Sequence, residues 1–162
     1  MKYNYFSAVY AIQIHDKIIE ISGGISGVKA YGNLDSPLNH IQNDDYYPTF
    51  EDKLTHIVFS FNKFHAFNDG NKRTSIAMGA FFLEINGLDV LVDKFIIEME
   101  NIAVTVADNI IDKDLLKEII VSLICEPDYK EELKLRIINA LNQVNPDNEP
   151  LNIGAEFYKD LF

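Results

Sequence analysis

The stretch HAFNDGNKRTS, which runs from His65 to Ser75, differs from the rest of the chain in the density of its chemical groups. A histidine, an acid, a Gly-Asn pair and two adjacent cations lie within nine residues. Apolar residues at helical spacing flank the stretch on both sides. This arrangement predicts a short loop that joins two core helices.

Both helices of this pair have predictable ends. Thr49 is placed to cap the first helix, and two acidic residues in its first turn suit the positive end of a helix dipole. We expect this helix to end near His65 and the second to begin near Asn71. An Asn-Gly pair at 86–87 is typical of the end of a helix.

In most of the remaining chain, too, apolar residues recur at the spacing that is typical of an α-helix. Further helices are predicted at 4–21, 94–108, 112–125 and 128–144, with a short one around 37–42 inside a loop region at 28–48. The segment LDVLV (88–92) could form a short strand or an extended link. Residues 145–150 are predicted to be a polar linker and 151–162 a short tail. The sequence therefore predicts an all-α protein.

Composition limits the classes of function. The chain carries 25 acidic against 14 basic residues, a net charge of −11, which argues against nucleic acid as a partner because binding a polyanion depends on phosphate neutralisation. The single cysteine, Cys125, excludes an internal disulfide and is expected to be a small buried hydrophobe. Neither a secretory signal nor a membrane-spanning apolar run is evident. We expect a soluble cytoplasmic protein.

The chemistry of the central stretch points to phosphate. The beginning of a helix offers free backbone N–H groups and a positive dipole end. Gly70 permits close approach of the backbone, and Asn71 can add an amide donor. Lys72 and Arg73 add two cations, of which arginine can hold a phosphate with two hydrogen bonds. Together these residues predict an anion-binding site.

Two further residues suggest a reaction at that site. A bound polyphosphate usually brings Mg²⁺, which prefers oxygen ligands, and Asp69 supplies one. His65 lies four residues earlier and could accept a proton from an incoming hydroxyl. A base, a metal ligand and a phosphate clamp are the parts needed to transfer a group from a nucleoside triphosphate. The other histidines, His15, His40 and His56, have no such neighbours and are assigned to packing or to solvent.

The stretch resembles the motif of the Fic/Doc (Fido) family. The Fic branch reads approximately H-x-F-x-D/E-G-N-G-R-x-x-R, and the Doc branch reads approximately H-x-F-x-D/N-A/G-N-K-R. The resemblance to the Doc branch extends to GGISGV upstream and AFFLEING downstream. It covers roughly residues 5 to 125. The matching positions are His65, Phe67, Asp69, Gly70, Asn71, Lys72 and Arg73.

The resemblance implies a role for each matching residue. It implies an all-α Fido fold, a helical bundle with the motif loop between two core helices, and ATP and Mg²⁺ as co-substrate and cofactor. His65 would be the catalytic base, Phe67 a buried anchor of the loop, and Asp69 the Mg²⁺ ligand. The residues that would bind the phosphates are Gly70, Asn71, Lys72 and Arg73.

The resemblance leaves the reaction open among three alternatives. Fic proteins transfer AMP to a protein hydroxyl, whereas the Doc toxin transfers a phosphate, and its target is elongation factor Tu. Lys72 stands at a Fic glycine and Ile76 at the second Fic arginine, and both departures favour phosphate transfer over adenylylation. An inactive domain that binds only nucleotide or a partner protein is the third alternative.

The resemblance also suggests partners and a domain boundary. Doc toxins are silenced by a separate antitoxin, which is the expected partner here. Glu126 in SLICEP only approximates the internal inhibitory motif of Fic proteins, so an inhibitory role for it is disfavoured. Tyr46 and Tyr47, in the region before the motif helix, could dock the target or could simply pack on the helix. We expect a catalytic domain over 1–126 and a helical extension with a tail over 127–162.

Overall fold

A computed structural model describes residues 2–148 and 151–162 of the chain. Within these residues the chain forms eight α-helices and one short 3-10 helix, so the predicted all-α class is confirmed. The α-helices are α1 (Ala8–Ser22), α2 (Gly32–His40), α3 (Phe50–Lys63), α4 (Asn71–Ile85), α5 (Val92–Ala107), α6 (Lys113–Cys125), α7 (Glu131–Leu141) and α8 (Ala155–Lys159).

Helices α3 and α4 form the centre of the bundle. Their middles are buried on nearly every side, and α5, α6 and α2 pack around α3 while α1 and α5 pack on α4. Gly79 allows α4 to approach its neighbours closely, because an added Cβ would lie 2.6 Å from Phe95 of α5 and 3.0 Å from Val58 of α3. The helix pair on either side of the motif is therefore the core of the fold.

Side-chain caps define where the first and third helices begin. Ser7 accepts a hydrogen bond from the backbone N–H of Tyr10, so α1 begins at Ala8 and not at the predicted residue 4. Thr49 caps α3 as predicted, and a reciprocal bond from its own backbone N–H to Asp52 completes a capping box.

Two local predictions were wrong. The segment at 88–92 forms neither a strand nor an extended link, because Asp89–Leu91 is a 3-10 turn that leads directly into α5. Cys125 is exposed, since it lies at the last position of α6, away from the face that buries Leu116, Ile120 and Leu123.

The C-terminal segment joins the same hydrophobic core as the rest of the chain. Ile137 and Ala140 of α7 are buried against it, and so are Tyr158 and Leu161 further on. The predicted tail is thus a packed segment that contains α8. The domain boundary near residue 126 stays a prediction.

Candidate active site

The motif forms a tight loop between α3 and α4. Gly70 has a left-handed backbone with φ of 79° and stands immediately before α4. The Asn71 side chain accepts a hydrogen bond from the backbone N–H of Phe67 and donates one to the carbonyl of the same residue. Thr74 donates both its N–H and its hydroxyl to the Gly70 carbonyl. Asn71 therefore closes the loop with its Oδ1 and one side-chain N–H, and it also lines the cleft, so its contact with an anion stays a prediction.

Phe67 is buried in the manner expected of a loop anchor. Its ring is 1% exposed and stacks on the His15 ring of α1, with 3.8 Å between centroids and 4° between planes. His15 Nε2–H also donates to the Asp69 carbonyl at 2.7 Å. A β-bridge pairs Phe67 with Val28 on its other side. The loop is thus held by two segments that are distant in sequence.

His15 supports the motif loop, a contact that sequence reasoning missed. It occupies a buried position of α1 at helical spacing from Ala11 and Ile18, which by itself indicates only packing. A polar side chain at such a position needs a buried partner, and this need was the one available signal. The partner, the carbonyl of Asp69, lies 54 residues away in sequence.

His65 lies on the rim of the site with a strained backbone. Its φ is 49°, and it follows Phe64, the C-terminal cap of α3, at the position where glycine is usual. The Asn33 side-chain amide donates to the Phe64 carbonyl at 2.7 Å and so supports this turn. The His65 side chain is exposed. The left-handed turn directs the chain out of α3 and leaves the imidazole accessible.

Asp69 and Arg73 form a polar cluster with the end of α1. The carboxylate of Asp69 accepts hydrogen bonds from the N–H of Ile25 at 3.1 Å and of Gly70 at 2.7 Å, and it lies 3.7 Å from the Arg73 guanidinium. These N–H groups, Ile25 first, and the nearby cations lower the pKa of Asp69. The carboxylate is therefore ionised at neutral pH, and its oxygens keep lone pairs for a further partner.

Arg73 has a structural role besides the predicted one. Its Nη1 donates to the Gly23 carbonyl at 2.8 Å and to the Ser22 hydroxyl, which ties α4 to the end of α1. Lys72 makes no ion pair with any described residue. Lys72 and the first N–H groups of α4 thus remain available to an anion.

The predicted catalytic, metal-binding and phosphate-binding residues share one open cleft of about 740 Å³. This volume lies in the range of small-molecule sites. The cleft is lined by His65, Asp69, Gly70, Asn71, Lys72 and Arg73, by Ser22 to Gly24 and Asn68, and also by Asn62, Ala107 and Leu151 to Ile153. Apart from His65 and the stretch from Asp69 to Arg73, none of these lining residues was predicted to belong to the site.

Tyr46 and Tyr47 do not line this cleft. They line a separate hollow of about 630 Å³ with His40, Asn43 and Lys113. Tyr47 packs against His56, with 4.6 Å between ring centroids, whereas Tyr46 is 78% exposed. Target docking by these tyrosines stays a prediction.

Three further observations concern membrane-spanning helices, metal-binding groups and Glu126. In residues 2–148 and 151–162, no helix is long and apolar enough to cross a membrane, and no three His, Cys, Asp or Glu side chains form a metal-binding group. Glu126 bonds with Ser122 and Lys130 and does not line the cleft.

The fold and the site together define an all-α domain in which an exposed histidine and a helix N-terminus face one cleft. The Fic/DOC family model matches residues 5–83. The chain is 35% identical over 96 residues to "Toxin Doc" of Mycolicibacterium smegmatis, which covers 57% of this chain and 74% of that protein. It is 31% identical over 83 residues to "Protein kinase doc" of Escherichia phage P1, which covers 49% of this chain and 65% of that protein. The chain belongs to the Fic/DOC family.

Proposed function

We propose that this chain is a Doc-like protein kinase that transfers the γ-phosphate of ATP to a Ser, Thr or Tyr hydroxyl of a target protein. The observation that carries the proposal is that His65 shares one cleft with Lys72 and the free N-terminus of α4. The name of one relative, "Protein kinase doc", supports the same reaction class.

Each part of the cleft has a task in this reaction. The backbone N–H groups at the start of α4 and the Lys72 ammonium hold the phosphates. His65 accepts the proton of the target hydroxyl as its oxygen bonds to the γ-phosphorus. The bond from that phosphorus to the bridging oxygen breaks, and ADP leaves.

Asp69 is the residue that fits a Mg²⁺ ion. Its ionised carboxylate lines the cleft beside the anion site and is 43% exposed. A single carboxylate suits Mg²⁺, which usually shares its remaining positions among phosphate oxygens and water. When bound, Mg²⁺ would offset negative charge on the phosphates.

The position of Ile76 favours phosphate transfer over adenylylation. Ile76 is fully buried in α4, so no polar group stands where the Fic motif has its second arginine. Lys72 adds a bulky cation where that motif has glycine. Both features disfavour the nucleotide pose of Fic proteins. Adenylylation and an inactive binding domain remain the competing functions.

The biological role that we propose is that of a toxin controlled by a separate antitoxin protein. The relative named "Toxin Doc" supports this role. The proposed target is elongation factor Tu, whose modification would arrest growth.

Labelled ATP tests the proposal directly. Purified protein is added to bacterial lysate with Mg²⁺ and with ATP labelled on either the γ- or the α-phosphate, and His65→Ala is run in parallel. We expect a target band that is labelled only from the γ position and only with His65 present. Thermal unfolding of His65→Ala checks that its fold is intact. Label from the α position would instead establish adenylylation, and no His65-dependent label would favour an inactive domain.

A further inference from the structure

One side of the cleft is lined mostly by residues outside the family match at 5–83. Ala107 at the end of α5 and the segment Leu151–Ile153 lie there together with Asn62 from the last turn of α3. The segment follows α7 and precedes α8 in the chain. The cleft is therefore completed by the C-terminal part of the molecule.

Buried contacts fix this segment in place. Glu100 of α5 is 6% exposed, and its carboxylate accepts hydrogen bonds from the backbone N–H groups of Ile153 at 3.1 Å and Gly154 at 2.7 Å. Tyr158 just beyond is fully buried. Lys17 of α1 donates to the carbonyl of Leu161 at 3.1 Å. The segment is thus a fixed wall of the cleft.

Two amide side chains on this side have unused hydrogen-bonding groups. Asn62 is 3% exposed and donates to the Ala103 carbonyl, but its Oδ1 has no partner in the described structure. A buried polar atom without a partner is unfavourable, because it has lost its hydrogen bonds to water. Asn152 is exposed and makes no hydrogen bond to a described residue.

The lining of this side suits a heteroaromatic ring. Leu151, Ile153 and Ala107 supply apolar surface, and the exposed Asn152 amide supplies a donor and an acceptor for the edge of the ring. We assign the phosphates of a nucleotide to Lys72 and the start of α4. The rest of the nucleotide would lie in the same cleft, which is also lined by Asn62, Ala107 and Leu151–Ile153.

We propose that Asn62, Ala107 and Leu151–Ile153 form the pocket for the nucleotide base, and that the Asn152 amide hydrogen-bonds the edge of that base. This inference rests on the proposed function, since the ligand is taken to be a nucleoside triphosphate. It assigns to the C-terminal segment a part in nucleotide recognition.

Two ligands that differ by the nucleoside test the pocket. ATP reaches both the anion site and the base pocket, whereas inorganic tripolyphosphate reaches only the anion site. Affinities for both are measured by calorimetry on the full chain, the Asn152→Ala variant and Asn142→Ala, an equivalent exposed asparagine at the end of α7 outside the cleft. We expect Asn152→Ala to weaken ATP binding by about 5- to 10-fold, the effect of one hydrogen bond, with tripolyphosphate unchanged.

Each other outcome has a definite meaning. Equal ATP affinity in Asn152→Ala and the wild-type chain would overturn the proposal, and so would an equal loss for ATP and tripolyphosphate. Asn142→Ala is expected to match the wild-type chain with both ligands. If Asn152→Ala weakens ATP binding but the wild-type chain transfers no label, the proposed function is wrong and the base pocket still stands. If transfer depends on His65 but Asn152→Ala has no effect on ATP binding, the base pocket is wrong and the proposed function still stands.

Discussion

At the scale of single residues, the motif loop is held by contacts within the loop and by contacts with α1. Asn71 links back to Phe67, and His15 stacks on Phe67 while it donates to the Asp69 carbonyl. These contacts set the backbone that carries the Asp69 carboxylate and the turn at Gly70. Since a displacement of about 1 Å can reduce catalysis about 100-fold, we expect these contacts to matter for the proposed reaction.

The His15→Phe substitution tests this dependence. Phenylalanine keeps a ring against Phe67 but loses the donor to the Asp69 carbonyl, which leaves a buried acceptor unpaired. We expect a loss of about 1–2 kcal/mol in the free energy of unfolding and a larger fall in kcat than in the affinity for tripolyphosphate. Urea unfolding and transfer assays measure these effects.

A second variant separates the hydrogen bond from the stacking contact. His15→Gln keeps a donor and loses the ring, so it should recover part of the transfer rate if the bond to Asp69 matters most. A His15→Phe variant with the wild-type rate and stability would show that the bond has no positioning role.

At the scale of helices and loops, side chains that accept hydrogen bonds from backbone N–H groups fix the position of two segments, the start of α3 and the C-terminal segment. The capping box of Thr49 and Asp52 satisfies N–H groups at the start of α3. Glu100 performs a comparable task for the C-terminal segment, since it accepts from two successive backbone N–H groups.

Thr49→Ala is predicted to weaken the start of α3. The variant loses the side-chain acceptor for the Asp52 N–H, and removal of such a cap typically costs about 1 kcal/mol. Chemical unfolding should show this loss, whereas Thr49→Ser, which keeps the hydroxyl, should remain close to the wild-type chain. Equal stability of Thr49→Ala and Thr49→Ser would contradict the role of the cap.

Glu100→Ala is predicted to release the C-terminal segment. The N–H groups of Ile153 and Gly154 lose their acceptor, so hydrogen exchange at these two amides should become faster than in the wild-type chain. Glu98→Ala is the matched control, because Glu98 lies on the same helix but accepts from Tyr129 instead. Unchanged exchange at 153–154 in Glu100→Ala would show that other contacts hold the segment.

The difference between local and distant contacts explains what the sequence could predict. Thr49, the Asn-Gly pair at 86–87 and the apolar spacing of α3 and α4 are local signals, and the structure has these elements close to the predicted bounds. The clustering of the motif side chains followed from their nearness in sequence. The position of the C-terminal segment beside the cleft could not be predicted in this way. Its anchor, Glu100, lies more than 50 residues away in sequence. Glu100 binds backbone N–H groups, which do not depend on the identity of the residue that carries them.

At the scale of the whole molecule, one hydrophobic core extends from Ala8 in α1 to Leu161 beyond α8. Polar groups enter this core where they have a partner, as with Lys53, which donates to the Ile41 carbonyl and pairs with Asp44 at 2.7 Å. His56 is one of several exceptions among the described residues. Its Nδ1 accepts from Lys113 at 2.8 Å, but its Nε2 has no partner among the described residues.

His56 is predicted to make the stability of the protein depend on pH. Burial, and then the neighbouring charges of Lys113 and His40, lower the pKa of His56 from 6.5 to about 4. As the pH falls from 6.5 towards 4, the unfolded chain takes up a proton on this imidazole while the folded chain does not. The free energy of unfolding should therefore fall across this window by up to about 3 kcal/mol, and His56 should add no further loss below it.

The His56→Gln variant isolates this contribution from that of the acidic residues. Glutamine keeps an acceptor for Lys113 and does not titrate, so the variant should lose less stability than the wild-type chain between pH 6.5 and pH 4. Urea unfolding of both proteins at several pH values across the window gives the two slopes. Parallel slopes would mean that His56 is protonated equally in the folded and unfolded chains. Any loss of stability in acid would then have to arise from carboxylates such as Asp69. The lowered pKa of Asp69 places its effect below that pH window.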